Sequence, residues 1–164
     1  TYLSWLNDQD VIEFLEVKFV HYTLDELKAY VQSFVDTEGK FLFGIFDKEN
    51  DNHVGNATIY NIDQNRGTFD IGYLIGEKEY WGKDASTAAL LMMLKYSFEA
   101  LGLRKIFGEI FSSHVKARFT SKKAGFMEEA RLKETGYFNG KLCDTIVYTM
   151  NRDQWLNVKK KFKI

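Results

Sequence analysis

Six residues, Gly82-Lys83-Asp84-Ala85-Ser86-Thr87, gather the groups that hold a phosphate: a glycine, a cation, two hydroxyls and a run of backbone amides. They follow Phe69-Asp70-Ile71-Gly72-Tyr73-Leu74-Ile75-Gly76, whose period-two alternation predicts a half-buried strand with Asp70 on its polar side. They precede about four helical turns that run to Leu101 and stop at Gly102. A strand feeding a helix through such a loop presents unpaired N–H groups and the positive end of the helix dipole at one point, which suits an anion. Asp84 is also a good N-cap for the amides of Ser86 or Thr87, so the stretch reads equally as a self-capped helix with no ligand.

The flanking elements must position this loop. Tyr2 to Asp8 and Val11 to Leu15 read as one or two short helices anchored by Trp5 and Phe14, and Thr23-Leu24-Asp25-Glu26 is a capping box opening a helix to about Phe34. Phe41 to Asp47 and Val54 to Ile62 are strands joined by a hairpin turn, and Gln64-Asn65-Arg66-Gly67 turns the chain into the Asp70 strand. Arg104 to Phe111 is the next strand, reached through a helix and therefore expected parallel to the Asp70 strand. If that pair splays beside the helix start, it opens a slot for an extended ligand. Ser112 to Gly125 reads as an N-capped helix; Phe126 to Lys133 and Leu142 to Met150 read as strands turned by Asn139-Gly140. Asn151 caps a short last helix with a frayed lysine-rich tail.

Composition narrows the partners. At 164 residues and 45% hydrophobic the chain can bury one core, so a single domain over residues 1–164 is expected. A net charge of −1 gives no basic field for nucleic acid or an anionic membrane, and no apolar run approaches the roughly 18 residues of a membrane span. The start does not read as a signal peptide. One cysteine, Cys143, excludes an intrachain disulfide and a cysteine-rich zinc site, in keeping with a reducing, cytoplasmic setting. His21, His53 and His114 share no spacing that suggests a metal or a triad, so no metal is expected.

The pattern Tyr80-Trp81-Gly82-Lys83-x-x-Ser86-Thr87 before an apolar helix resembles the pyrophosphate arm of the GNAT superfamily of acyl-CoA-dependent N-acyltransferases. In particular it looks like the branch that includes the acetyltransferases of ribosomal-protein N-termini and many amino-sugar and polyamine acetyltransferases. The ending Lys122-Lys123-Ala124-Gly125-Phe126 resembles the close of a second GNAT helix about thirty residues on. The resemblance covers roughly Val54 to Met150. It implies an α+β fold: one GNAT-like domain with a mixed, mostly antiparallel sheet of six to seven strands flanked by helices, and a splayed parallel pair forming the CoA slot. It implies acetyl-CoA as cosubstrate, held by Leu74, Ile75, Trp81, Gly82, Lys83, Asp84, Ala85, Ser86, Thr87, His114 and Lys116. Arg118, Lys122 and Lys123 are further cations within reach of CoA phosphates.

Four positions depart from the family pattern. Asp84 stands where Gly is usual, His114 where an Asn contacts the pantetheine arm, Ala117 where a Ser is often found, and Ser121 where a Tyr often protonates the leaving thiolate. By resemblance Asp70 is the candidate base or ammonium anchor and Ser121 the candidate acid, with backbone N–H near Leu74 or Ile75 polarising the thioester. The implied activity is acetyl transfer to a primary amine in a ternary complex. A sugar-nucleotide amine, a protein N-terminus and a polyamine are the possible acceptors, and the protein is a monomer or homodimer. A GNAT-like binding or regulatory module without turnover is the alternative.

Overall fold

Two tight turns and one helical crossover organise the sheet in the computed structural model, which describes residues 1–15 and 21–164. Strands β1 (Phe41–Phe46) and β2 (His53–Asp63) flank a turn in which Asp51 has φ 60°. Strands β5 (Met127–Phe138) and β6 (Lys141–Asn151) flank Asn139-Gly140, with φ 48° and 76°, the left-handed pair that a two-residue hairpin requires. Strand β3 (Thr68–Ile75) continues through a 3₁₀ turn at Lys78–Tyr80 into the first helix of the site. That helix comprises Ala85–Lys95 and a widened π turn, Tyr96–Ala100, before Gly102 turns the chain into β4 (Lys105–Phe111). The six strands lie in the order β1-β2-β3-β4-β6-β5, with β3–β4 parallel and every other pair antiparallel.

The helices are α1 (Tyr2–Leu6), α2 (Leu24–Asp36), α3 (Ala85–Lys95), α4 (Val115–Lys123) and α5 (Arg152–Phe162). Alternation along the strands sends Ile59, Phe69, Ile106, Ile146, Tyr148 and Met150 to one face, where they meet Leu90, Leu91, Leu94 and Phe98 of the α3 segment and Trp155 and Val158 of α5. The other face carries Val54, Asn56, Thr58, Asp70, Gly72 and Leu74 and receives the N-terminal segment. There Trp5, 4% exposed, lies against Gly76 and donates through Nε1 to Glu77 at 2.9 Å.

Several elements differ from the expectation. Only α1 is helical in the opening segment; residues 8–15 form successive turns that bury Val11 and Ile12. Thr23 closes its capping box with Glu26, yet of the apolar positions on α2 only Leu27 is buried, while Leu24, Tyr30 and Val31 stay exposed. Strand β5 runs through Tyr137 and Phe138, since two register irregularities let it follow β6 for its whole length. The C-terminal tail is helical to Phe162, because the Asn151–Gln154 capping box starts a helix whose Trp155 and Val158 are buried and whose Phe162 packs on the core.

A Cβ at residue 76 would meet the Trp5 ring at 1.9 Å. Gly76→Ala therefore evicts Trp5 from its seat, and the overpacking should cost about 1–3 kcal/mol. Thermal or urea denaturation followed by tryptophan fluorescence reads both the loss and the altered Trp5 environment.

Candidate active site

The site begins where a ladder ends. Thr68, Phe69 and Asp70 pair with Lys105, Ile106 and Phe107, and beyond Asp70 the two parallel strands no longer match. The N–H of Gly76 donates to Val54 O at 2.9 Å, so antiparallel alternation turns the amides of Gly72 and Leu74 toward β2 and those of Tyr73 and Ile75 toward the gap. Of the two amides expected to serve the slot, Leu74 is thus committed to the sheet and Ile75 faces the opening. The carbonyl of Ile75 accepts from Trp81 Nε1 at 2.8 Å, so the Trp81 indole pins the following loop to the end of β3.

The loop then delivers its amides. Asp84 sits at the N-cap in the left-handed region, φ 61° and ψ 2°, the conformation that the family's usual Gly would take. Its carboxylate makes no cap: it pairs with Lys123 on α4 instead of Ser86 or Thr87. The first amide to bond back is Ala88 N–H, to Asp84 O at 2.9 Å, which leaves those of Ala85, Ser86 and Thr87 ahead of it without a helical acceptor. Gly82, φ 76° with open space around it, keeps the approach clear. Lys116 Nζ lies 5.1 Å from the Trp81 ring centroid and Lys83 Nζ 5.8 Å from that of Tyr80. Free amides flanked by lysines fit a diphosphate.

On the open face of the sheet, Asp70 accepts from Asn61 Nδ2 at 2.7 Å. A β-bulge after Tyr60 and the left-handed Asn61, φ 50°, bring that amide over. Burial raises the pKa of Asp70 above the ordinary carboxylate value, and the Asn61 hydrogen bond opposes the shift. Two residues past Phe107, by the same alternation, Glu109 lies on this face about 6–7 Å further along β4, its side chain exposed and without an ion pair or hydrogen bond among the described residues.

Ser121 is buried within α4, beside Thr120. Tyr73 reaches the same wall from β3. Burial pushes its phenol up to about 12, with the Thr120 side chain opposing, so it stays protonated at neutral pH. His114 takes the N-cap of α4 without capping it and stacks on Phe14, centroids 3.8 Å apart and planes 1° apart, with Phe138 on the far side of Phe14 at 4.5 Å. This stack joins the N-terminal segment, α4 and the β5–β6 hairpin. Cys143 packs near Phe111 and Gly136. Among the described residues no cluster of His, Cys, Asp and Glu could hold a metal, and no helix is long and apolar enough to cross a membrane.

Residues 1–127 match the family model described as "Acetyltransferase (GNAT) domain". The chain belongs to the GNAT acetyltransferase family. The match takes in the N-terminal segment, which the sequence motifs alone did not, and ends at the start of β5. YdaF of Bacillus subtilis, a candidate ribosomal N-acetyltransferase, is 32% identical over 101 residues, 62% of this chain and 55% of its own. The spermidine N(1)-acetyltransferase of Vibrio cholerae is 24% identical over 82% of this chain and 77% of its own. This chain spans 55% and 63% of the lengths of YdaF and of p20 from Bacillus licheniformis. A crystal structure of the Vibrio cholerae spermidine N-acetyltransferase with CoA and spermine superposes with TM-score 0.83 at 22% identity, covering 95% of this chain and 90% of that one. Fold and sheet order are thus those of GNAT proteins.

Sequence reasoning missed Glu109, Tyr73 and Asn61. Plain strand alternation marks the faces of the first two, but only the register of β3 on β4 shows that those faces border the gap. Burial and the Lys116 charge depress the His114 pKa from 6.5 to about 4, so the folded protein holds this imidazole neutral at pH values where the unfolded chain protonates it. Stability from His114 is complete above pH 6.5 and drains as the pH falls toward 4. Thermal melts across that window should show the decline, and His114→Asn should flatten it.

Proposed function

We propose that this chain transfers an acetyl group from acetyl-CoA to a primary amine by direct attack in a ternary complex. The observation that carries the reading is the parting of β3 and β4 between a helix start with free amides and an open face bearing Asp70 and Glu109. Acetyl-CoA supplies an activated acyl thioester. The amides of Ala85, Ser86 and Thr87 take its diphosphate, and the Ile75 N–H is the donor available to a carbonyl oxygen in the gap. An amine arriving on the open face meets two carboxylates. Asp70 takes its proton or holds its ammonium, and Glu109 steadies a second positive or donor group. On the other side of the same strand the hydroxyls of Ser121 and Tyr73 are the proton sources for the departing thiolate. Acid and base thus stand on opposite faces, so neither quenches the other.

The acceptor class is a small-molecule amine or a peptide N-terminus. Carboxylates at the open face suit any ammonium, and the names of the relatives span ribosomal and polyamine acetyltransferases. Calorimetric titration with acetyl-CoA tests the first half of this proposal; absence of heat and of a thermal shift at millimolar ligand defeats it. Turnover across a panel of amines tests the second.

Asp70→Asn should lower turnover about a hundredfold with acetyl-CoA affinity intact. Because burial raises the folded pKa of Asp70, ionising it opposes folding, so the same substitution should raise the melting temperature at pH 7. A variant with wild-type turnover removes Asp70 from the chemistry. Glu109→Gln should raise the KM for the amine several-fold with a smaller effect on kcat, read from initial rates.

A further inference from the structure

Two contacts stitch α4 to the β3–α3 loop across the mouth of the slot. Lys116, near the start of α4, lies over the Trp81 ring, and Lys123, in its last turn, pairs with Asp84. Seven residues separate the two lysines, so they share one helix face. Asp84 is the residue whose backbone starts α3, and its carboxylate makes no cap to the amides of Ala85, Ser86 and Thr87 that follow it. It is 69% exposed and its partner 35%.

We propose that Asp84 is a built-in competitor for the diphosphate of the cofactor, holding Lys123 across the slot mouth and surrendering it when acetyl-CoA enters. The inference rests on the acetyl-CoA reading above and adds to it a residue that opposes binding. Three physical points support it. A carboxylate beside a helix start repels a second anion brought to the same amides. An ion pair this exposed is screened and cheap to break, so a diphosphate, with two charges and several acceptor oxygens, outbids one carboxylate for the ammonium. The left-handed backbone at Asp84 is the one that Gly or Asn would adopt without a charge, so local geometry alone does not call for an acid here. Lys123 thus has two alternative partners, one within the chain and one on the ligand. The resulting affinity is lower than the amide cradle alone would give, and spent CoA leaves correspondingly faster.

Asp84→Asn keeps the left-handed turn and removes the charge; Lys123→Met keeps the stem and removes the ammonium. Titration calorimetry of the intact chain with acetyl-CoA should show Asp84→Asn binding about three- to tenfold tighter and Lys123→Met about five- to tenfold weaker than wild type. S-acetylpantetheine, which has the thioester and no diphosphate, should compete equally well against all three proteins once their acetyl-CoA affinities are allowed for. Equal or weaker binding by Asp84→Asn overturns the competitor role, and wild-type affinity in Lys123→Met overturns the exchange. Matching changes for S-acetylpantetheine would assign the pair to the shape of the slot and overturn both. Wild type that takes up no acetyl-CoA defeats the cofactor reading itself, which is a separate result.

Discussion

Everything about this site depends on a parallel pair that stops early. Parallel strands form an evenly spaced ladder that ordinarily runs their shared length. Here β3 and β4 match only from Thr68–Lys105 to Asp70–Phe107. The unmatched amides of Tyr73 and Ile75, the open end of α3 and the inner face of α4 all owe their availability to that interruption. The cost of leaving backbone donors unpaired is tolerable where a ligand can take them.

The packing that surrounds the gap keeps it from closing. Trp81 ties the loop to the Ile75 carbonyl, and the His114–Phe14–Phe138 stack fixes the start of α4 to the hairpin and to the N-terminal segment. On the core side, Phe69 and Phe98 meet edge to face at 5.5 Å, and Phe98 stacks on Trp155 at 5.9 Å. These rings hold β3, α3 and α5 as one block. The two walls are rigid for different reasons: one is aromatic packing, the other a pinned loop.

The architecture was legible because it is written in local chemistry. Asn139-Gly140, the capping boxes at Thr23 and Asn151, and the apolar run after Asp84 each imply their element without reference to the rest of the chain. The parallel relation of β3 and β4 followed from a helix lying between them. The site was legible only in its continuous part, from Asp70 to Thr87. Glu109 gives no signal until the register puts it beside the gap, and the partner of Asp84 is a lysine 39 residues away, far outside any motif. His114 looked like a substituted ligand residue; its stacking on Phe14 is a tertiary fact. The exposed apolar positions of α2 mark the reverse failure, where a clean helical stripe did not become core.

The seat of Trp5 has a consequence for how distant parts of the chain are held together. Its indole hydrogen bond to Glu77 closes a loop of 72 residues, whereas the hairpins and the crossover that build the sheet close much shorter ones. Loop closure becomes more costly as the intervening chain lengthens. Closing that loop is the costlier step, and what offsets it is several anchors acting together: Trp5 over Gly76, the buried Val11 and Ile12, the Lys78 pairs with Asp8 and Asp10, and Phe14 between His114 and Phe138. The N-terminal segment thus ties the end of β3, the start of α4 and the β5–β6 hairpin to one another, although the three lie far apart along the chain.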